Sequence, residues 1–169
     1  MIAWRAALPL IALAGLANAD AAPPANLCGS GETAYFSCLV KGKKVLGLCG
    51  SLPSALQYRF GTSARTELRY PEDPKQGPRE LRLAHYARYQ TDRVEVSFQN
   101  GGVDYALFDY TENARRTAGV RVTAADGQEK EIRCLGAITG DLGALAPYLP
   151  CDADNALSGG VCPPVGAAK

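Results

Sequence analysis

Short segments in which apolar and polar residues alternate recur along this chain, and glycine-containing turns separate them. Alternation with a period of two is typical of strands that bury one face and expose the other. The clearest early examples are AYFSCLV and KVLGLC, which would form a first hairpin, followed by LQYRF and TELRY. RELRLAHY is predicted as the next strand, although Leu81, Ala84 and Arg88 would also suit a helix. Regular strand spacing with glycine-rich turns predicts an all-β fold of about eight or nine antiparallel strands, closed or nearly closed as a barrel or sandwich.

A hairpin is predicted for residues 96–110, VSFQNGGVDYALFDY. A two-residue turn at Asn100-Gly101 or at Gly101-Gly102 supplies the positive φ angles of a type I′ turn, and both registers give the same two faces. The apolar face is predicted to join the core and gathers Val94, Val96, Phe98, Val103, Tyr105 and Leu107. The other face is polar near the turn and aromatic farther away, and gathers Arg93, Glu95, Ser97, Gln99, Asp104, Ala106, Phe108 and Tyr110. This second face either passes under a covered edge or binds a ligand.

A further hairpin is predicted within AGVRVTAADGQEKEIRCLG. A two-residue turn at Asp126-Gly127 would place apolar residues opposite charged ones. A three-residue loop, Ala125–Gly127, with Gly127 left-handed, instead gives complementary pairs, and such pairs stabilise a register. These pairs are Val120 with Ile132, Ala118 with Cys134, and Arg121 with Glu131.

Two irregular segments accompany the strands. Residues 71–78, PEDPKQGP, contain three prolines and one glycine, which predicts an exposed loop. Three leucines at helical spacing predict one short C-terminal helix over residues 141–149, beginning near Asp141 and ended by Pro150. These leucines are Leu142, Leu145 and Leu149.

The chain has six cysteines, and an even number in an exported protein indicates disulfides. Six cysteines allow fifteen pairings, which spacing alone leaves open. We predict the pairs Cys38 with Cys49, Cys134 with Cys151, and Cys28 with Cys162. The first pair rests on a hairpin with an even-numbered loop, which would put both cysteines on one face. A zinc site is the alternative, but zinc ligands usually occur in pairs two to four residues apart, and the closest cysteines here are ten apart.

Residues 1–19 have the features of a removed signal peptide: Arg5, an apolar run over residues 6–16, and the small-x-small sequence Ala17-Asn18-Ala19. The apolar run is too short to cross a hydrocarbon core of about 30 Å, so we predict a periplasmic or secreted protein with no membrane insertion of the mature chain. The predicted organisation is a signal peptide (1–19), a flexible leader (20–27), a single all-β domain (28–157) and a C-terminal tail (158–169).

The charge of the predicted mature chain is balanced. The whole chain has 18 Lys plus Arg and 17 Asp plus Glu, and loss of Arg5 with the signal leaves 17 of each. Nucleic-acid binding by bulk electrostatic attraction is therefore not expected. Arginines and tyrosines interleave between residues 58 and 93, a pattern that charged strand faces explain better than a binding patch.

Few residues indicate chemistry, and we predict no catalytic residue, cofactor or metal. His85 is the single histidine, without the neighbours of a catalytic triad, so a surface or hydrogen-bonded role is favoured. A carboxylate pair acting as general acid and base remains open among the 17 acidic residues. Asp152 and Asp154 match the first half of a calcium loop but lack its central glycine and distal glutamate, which favours a turn or helix cap.

The combination of ETAYFSC, LGLCGS, LQYRFG, the NGG hairpin and LPCDADNAL resembles a family of small exported proteins of Gram-negative bacteria without an assigned function. The resemblance spans residues 28–157 and implies a fold, not an activity. A weaker likeness is to periplasmic lysozyme inhibitors, which are small disulfide-bearing antiparallel β-barrels with an early Tyr-x-Cys pattern. Tyr35 and Cys38 are one residue farther apart than in that pattern, and QNGGVDY lacks the Ser-Gly of the inhibitor loop. No inhibitor residue is carried over.

These features favour an exported binding or inhibitory module of the cell envelope over an enzyme. Aromatic and arginine side chains tend to dominate interface energetics, so the binding residues are predicted on the second face of the NGG hairpin. They are Asp104, Phe108 and Tyr110, helped by Arg93 and by Tyr89, which precedes the hairpin. An envelope protein such as a cell-wall hydrolase is the candidate partner. The competing hypotheses are a small envelope hydrolase that uses a carboxylate pair and a purely structural envelope protein.

Overall fold

The computed structural model describes residues 26–162, and these residues form nine strands in one antiparallel sheet. The strands are β1 (Thr33–Val40), β2 (Lys44–Ser51), β3 (Ala55–Thr62), β4 (Arg65–Tyr70), β5 (Arg82–Arg88), β6 (Thr91–Asn100), β7 (Val103–Glu112), β8 (Arg115–Thr123) and β9 (Glu129–Gly140). Their order is β4-β3-β2-β1-β9-β8-β7-β6-β5. Two meanders, β1–β4 and β5–β9, are therefore joined where β1 pairs with β9. The all-β prediction is confirmed.

The sheet folds over on itself without closing. β3 and β6 lie six strand positions apart, which would separate them by about 29 Å in a flat sheet. The rings of Tyr58 on β3 and Phe98 on β6 nevertheless have centroids 5.0 Å apart. The sheet is thus curled around a core, and the edge strands β4 and β5 are not hydrogen-bonded to each other. The largest fully buried side chains on its inner face include Phe36, Leu46, Leu48, Leu56, Tyr58, Val96, Leu107 and Val120.

Both hairpin predictions agree with the structure. In the NGG hairpin, Asn100 pairs with Val103, so the turn is Gly101-Gly102, with φ angles of +60° and +78°. The β8–β9 connection has the predicted three-residue loop, because Val120 pairs with Ile132 and Thr123 with Glu129.

Three disulfides are present, but all three predicted pairings are wrong. The bonds are Cys28–Cys49, Cys38–Cys134 and Cys151–Cys162. Val40 pairs with Lys44, so the turn between β1 and β2 has three residues, not an even number. Cys38 therefore lies opposite Leu46 on the core side, whereas Cys49 lies on the other face of the sheet. The two cysteines of this hairpin cannot meet, and each bonds to a distant segment on its own face.

The two irregular segments also differ from expectation. Residues 71–78 are not simply an exposed loop: a 3-10 turn, Pro74–Gln76, leads into the short helix α1 (Gly77–Glu80). Pro71 and Gly77 are buried, and the side-chain amide of Gln57 donates a 2.7 Å hydrogen bond to the carbonyl oxygen of Pro71. This segment connects the two edge strands and covers part of β3.

The C-terminal helix is a single 3-10 turn, Leu142–Leu145, capped by Asp141 as predicted. Leu142, Leu145 and Leu149 are all buried, so the apolar spacing is correct. The helix does not extend through residue 149 because Pro147 has no backbone N–H to donate to the carbonyl of Gly143.

The segment after this turn, residues 150–162, is called the C-terminal strap. It runs beside β5, where the backbone N–H of Leu83 donates to Pro150 (2.9 Å) and that of Asp152 donates to Leu83 (2.8 Å). The Cys151–Cys162 disulfide then loops the strap back on itself. The strap covers the start of an otherwise free sheet edge and passes toward the outer face of β6.

The segment that precedes β1, residues 27–32, is held by an ion pair as well as by the Cys28–Cys49 disulfide. Arg59 donates two hydrogen bonds to the Glu32 carboxylate, of 2.5 and 2.7 Å, and one of 2.9 Å to the carbonyl of Leu27. These hydrogen bonds from Arg59 lower the pKa of Glu32 below its ordinary value of 4.5.

We expect Glu32→Gln to lower the free energy of unfolding at pH 7 by about 1 to 2 kcal/mol. Because the folded-state pKa is the lower one, this contribution is present above pH 4.5 and is lost as the pH falls through the folded-state value. The difference between wild type and variant, measured by urea unfolding, should therefore shrink between pH 7 and pH 3. The control is Glu67→Gln, which removes the exposed pair with Lys44 and should cost little. An equal loss at both pH values would contradict the assignment.

Candidate functional site

The outer face of β6, β7 and β8 carries four of the five predicted binding residues, and the fifth, Tyr89, lies in the β5–β6 turn. Glu95 lies opposite Phe108, and Arg93 lies opposite Tyr110, as the alternation of the hairpin predicts. The Phe108 and Tyr110 rings are in contact, with centroids 5.3 Å apart. Phe108, Tyr110 and Arg93 are thus brought together at the end of the hairpin farthest from the Gly101-Gly102 turn.

Phe108 lies on the outer face but is only 3% exposed. Its cross-strand neighbour on β8 is Gly119, and a Cβ there would lie 2.8 Å from the Phe108 ring. The ring therefore covers the bare glycine backbone, an arrangement that compensates for the missing side chain. The Arg121 guanidinium lies 5.9 Å from the ring centroid. Phe108 forms the floor of the site and is not an exposed contact.

A hydrogen-bonded network fixes this floor. Glu95 is 4% exposed, and its carboxylate accepts hydrogen bonds from the Tyr110 hydroxyl, from Arg121 (3.1 Å) and from the Asn155 amide of the C-terminal strap (2.6 Å). Burial and the hydrogen bond to Glu95 raise the pKa of Tyr110 to about 12. The Tyr110 hydroxyl therefore stays protonated at neutral pH and remains a donor. A buried carboxylate with three donors holds the surrounding rings in one arrangement.

Two turns bring further residues to the same end of the sheet. The Arg93 guanidinium lies 5.4 Å from the Tyr110 ring centroid and donates a 2.6 Å hydrogen bond to Glu112. The backbone N–H of Asn113, in the β7–β8 turn, donates a 2.9 Å hydrogen bond to Gln90 in the β5–β6 turn. Tyr89 precedes Gln90 and is 88% exposed. Arg93, Phe108, Tyr110 and Tyr89 therefore belong to one end of the molecule.

A groove of about 560 Å³ opens on this outer face, and we call it the outer groove. Its lining residues are Phe108, Tyr110, Glu112, Asn113, Arg115, Thr117, Glu131 and Arg133. Two carboxylates and two guanidiniums give it no formal net charge. Arg133 pairs with Glu131, whereas the Arg115 side chain forms no ion pair or hydrogen bond with the residues that the structure describes. Such a groove combines a rigid aromatic floor with charged walls.

Asp104 does not belong to the outer groove. It lies beside the Gly101-Gly102 turn, at the opposite end of the hairpin, and accepts a 2.9 Å hydrogen bond from Gln99. It lines a separate cavity of about 720 Å³. The five predicted binding residues are therefore divided between two ends of the sheet, four at one and Asp104 at the other.

The histidine and several carboxylates line a third cavity, of about 480 Å³, at the inner mouth of the sheet. His85 is paired with Asp92 at 3.0 Å. Asp109 accepts two hydrogen bonds from Arg116, of 2.8 and 2.6 Å, and Asp141 caps the 3-10 turn by accepting from Gly143. Each carboxylate that faces this cavity thus has a partner within the fold, which favours a structural role over that of a free general acid or base.

Six of the eight residues that line the outer groove were not among the predicted binding residues: Glu112, at the end of β7, and five residues farther along the chain. Arg115 and Thr117 lie on β8, Asn113 lies in the β7–β8 turn, and Glu131 and Arg133 lie on β9. The segment TENARR contained a usable signal, because Asn113 and Ala114 adopt positive φ angles in a two-residue turn. Recognising that turn would have extended the outer face from β7 to β8.

Comparison with known proteins identifies no relative: no family model, curated protein sequence or solved structure matches this chain. The functional argument therefore rests on the geometry of the described residues. Among residues 26–162, no group of three or more His, Cys, Asp or Glu is placed to hold a metal ion. The same residues include no helix long and apolar enough to cross a membrane. Residues 1–19, the predicted signal peptide, lie outside the described part of the chain.

Proposed function

We propose that this protein is an exported binding or inhibitory module of the cell envelope, and that it binds a partner protein through the outer groove. The observation that carries the proposal is the fixed arrangement of Phe108, Tyr110 and Arg93. Exposed arginine and tyrosine side chains surround it, and we call them the rim: Tyr89, Arg115 and Arg133. Three disulfides are typical of proteins that fold in an oxidising compartment, which supports export.

The composition of the groove favours a protein partner over a small molecule. Small-molecule sites are usually enclosed and mostly apolar, whereas the outer groove is open and its walls are charged. Tyrosine and arginine are the residues most enriched at the energetic centres of protein interfaces. Arg115, without an ion pair in the described part of the chain, and Tyr89, at 88% exposure, are available for such contacts.

A rigid floor also favours binding, because a preorganised surface loses less conformational entropy when a partner docks. Tyr110 is held by Glu95 from below and by Arg93 across its ring. The candidate partner is a cell-wall hydrolase such as a lysozyme, by analogy with the lysozyme inhibitors to which the sequence shows a weak likeness. A docked inhibitor needs no catalytic group of its own.

The test compares two double variants that remove the same charge. Arg115→Ala with Arg133→Ala alters the outer groove, and Arg65→Ala with Arg69→Ala alters the exposed face of β4. Because all four side chains are exposed, both variants should fold with melting temperatures close to that of the wild type. We expect the groove variant to bind its partner about tenfold more weakly or worse, and the β4 variant to bind as the wild type does.

Two measurements are needed. The first is inhibition of lysis of cell-wall material by purified lysozyme, and the second is capture of partners from an envelope extract with identification by mass spectrometry. Loss of inhibition or of one identified partner in the groove variant alone would support the proposal. If both variants inhibit and capture equally, the outer groove is not the interface. If the protein alone degrades cell-wall glycan, the alternative of a hydrolase with a carboxylate pair replaces the proposal.

A further inference from the structure

One edge of the curled sheet is only partly covered. β5 is the last strand in the sheet order, so one of its sides has no neighbouring strand. The C-terminal strap covers that side at its start, where Leu83 forms backbone hydrogen bonds of 2.9 and 2.8 Å with Pro150 and Asp152. The strap makes a parallel bridge there, between Leu83 and Cys151. This edge therefore already accepts an extended backbone segment, and residues 85–88 beyond the bridge are exposed.

The backbone groups that face this open edge belong to His85 and Ala87. In an antiparallel ladder, a residue directs its N–H and C=O to the same side, and successive residues alternate between the two sides. Leu83 faces the strap and β5 pairs with β6 without a register shift, so His85 and Ala87 face the open side. Among residues 26–162, no strand, turn or side chain forms a hydrogen bond with these four groups. They are available to an added strand.

The other edge strand, β4, is less suited to pairing. Its pairing with β3 shifts register between Phe60 and Gly61, and Pro71 follows its last residue. Bulges and prolines are features that discourage pairing at exposed sheet edges. β5 has neither a register shift nor a proline over its seven residues. Of the two edges, that of β5 is the one whose backbone can receive another strand.

The side chains along the open edge of β5 carry positive charge. The strand has the sequence RLAHYAR, with two arginines and no carboxylate. The Arg88 guanidinium lies 5.9 Å from the Tyr86 ring centroid and forms no ion pair with the residues that the structure describes. An added strand would lie about 4.8 Å from β5, with alternate side chains beside Tyr86 and Arg88. A carboxylate at such a position can accept a charge-assisted hydrogen bond from Arg88.

The open edge is also continuous with the outer groove. Tyr86 on β5 lies opposite Arg93, and Arg93 lies opposite Tyr110. Tyr110 lies opposite Thr117, and both of these residues line the outer groove. The four residues form one row across the outer face, from the edge of the sheet to the groove. A partner that occupies the outer groove therefore lies next to the open backbone edge.

We propose that the open edge of β5 binds an extended acidic segment of the partner protein as an additional strand. Main-chain hydrogen bonds to His85 and Ala87 supply affinity, and a carboxylate beside Arg88 supplies selectivity. A second copy of this chain is a poorer occupant, because its β5 would bring two more arginines and no carboxylate to the edge. The inference rests on the proposed function for the source of the segment, whereas its test uses a defined peptide and does not involve the outer groove.

The probe is a fluorescein-labelled peptide, Glu-Val-Glu-Val-Glu, whose alternation places all the carboxylates on one face of an added strand. Its binding is measured by fluorescence polarisation. We expect saturable binding that weakens as salt screens the attraction, and binding about tenfold weaker when lysine replaces each glutamate. In NMR spectra, the bound peptide should slow hydrogen exchange at the amides of His85 and Ala87. The amides of Ala84 and Tyr86 face β6 and should not change.

Backbone methylation of the probe distinguishes strand addition from simple charge attraction. An added strand uses the N–H groups of alternate residues to pair with β5. One modified probe is methylated on the valine nitrogens, and the other on the glutamate nitrogens. One of them should bind about tenfold more weakly than the unmodified peptide, because its hydrogen bonds to β5 are lost. The other should bind as the unmodified peptide does.

Ala87→Pro is the test variant, because it removes an N–H that faces the open edge, and an edge strand tolerates proline at such a position. It should keep the circular-dichroism spectrum of the wild type and bind the probe about tenfold more weakly. The control is Arg115→Ala with Arg133→Ala in the outer groove, which should bind the probe as the wild type does. Failure at the edge is thus distinguishable from failure at the groove.

The proposal is overturned by any of three results: no saturable binding of the probe, equal binding by Ala87→Pro and the wild type, or equal binding of the two methylated probes. The methylated probes are tested on the wild type, so that result stands even if Ala87→Pro does not fold. Sedimentation of the protein alone tests the second copy. A wild-type dimer that Ala87→Pro abolishes would assign the edge to self-association and would also overturn the acidic segment.

Discussion

Replacing Cys38 and Cys134 together by alanine is expected to lower the free energy of unfolding by about 4 to 5 kcal/mol. The bond joins positions 96 residues apart, and a disulfide that closes a long loop restricts the unfolded chain most. It also connects β1 to β9, the one pair of strands through which the two meanders share hydrogen bonds. The measurement is urea unfolding of the oxidised protein, followed by circular dichroism.

The matched control is Cys151→Ala with Cys162→Ala, which opens a loop with a sequence separation of only 11 residues. We expect it to cost about 3 kcal/mol, because less chain entropy is recovered in the unfolded state. The double alanine variant of Cys38 and Cys134 should therefore unfold at a lower urea concentration than the control variant. Equal midpoints for the two variants would show that loop length does not determine the contribution of these bonds.

Phe108→Ala is expected to destabilise the protein by about 3 to 5 kcal/mol, although its side chain lies on the outer face. The ring is almost fully buried over Gly119 and under Arg121, so its loss leaves a cavity and uncovers the backbone of β8. Chemical denaturation measures the loss directly. A reduced melting temperature without a change in the far-ultraviolet spectrum would show that the fold itself is kept.

Tyr110→Phe is the milder companion, since it removes only the hydroxyl that donates to Glu95. It should cost about 1.5 to 3 kcal/mol, the contribution of a hydrogen bond to a charged group, here the buried Glu95 carboxylate. If Phe108→Ala costs no more than Tyr110→Phe, the ring is not the structural floor of the outer groove. This prediction also decides how binding is tested: Phe108 must be left intact, and the exposed rim residues are the ones to change.

The sequence predicted strand faces well where charge and apolarity specify the register. In the β8–β9 hairpin, Arg121 opposite Glu131 and Val120 opposite Ile132 distinguish one register from its neighbours, and the structure adopts that register. The strands β1 and β2 are apolar on both faces, with burial of Leu46, Leu48 and Cys49 alike. Either loop length satisfies such a pattern. The sequence therefore could not show whether the β1–β2 turn has an even or an odd number of residues. Without that number, the partner of Cys38 could not be inferred.

The candidate sites depend on contacts that no local pattern encodes. Asn155 reaches Glu95 across 60 positions of sequence, and Ser97 reaches Asp152 across 55. Both contacts require the C-terminal strap to pair with the edge of β5, which a sequence pattern does not reveal. The cavity of about 720 Å³ that Asp104 lines likewise depends on the curl of the sheet, which brings Tyr70 of β4 against Phe98 of β6. The sequence therefore indicated Phe108, Tyr110 and Asp104, but it did not indicate the lining residues that distant strands and the C-terminal strap supply.

Together with the export that we propose, the connectivity of Cys38 with Cys134 has a consequence for oxidative folding. A chain that crosses a membrane from its N-terminus delivers Cys28, Cys38 and Cys49 long before Cys134. Cys49 can form its native bond early, but the native partner of Cys38 arrives almost a hundred residues later. Any early bond between Cys38 and either neighbour must be undone by thiol–disulfide exchange, in which a thiolate attacks the existing bond. Efficient maturation of this protein therefore calls for a disulfide isomerase as well as an oxidase in the compartment where it folds.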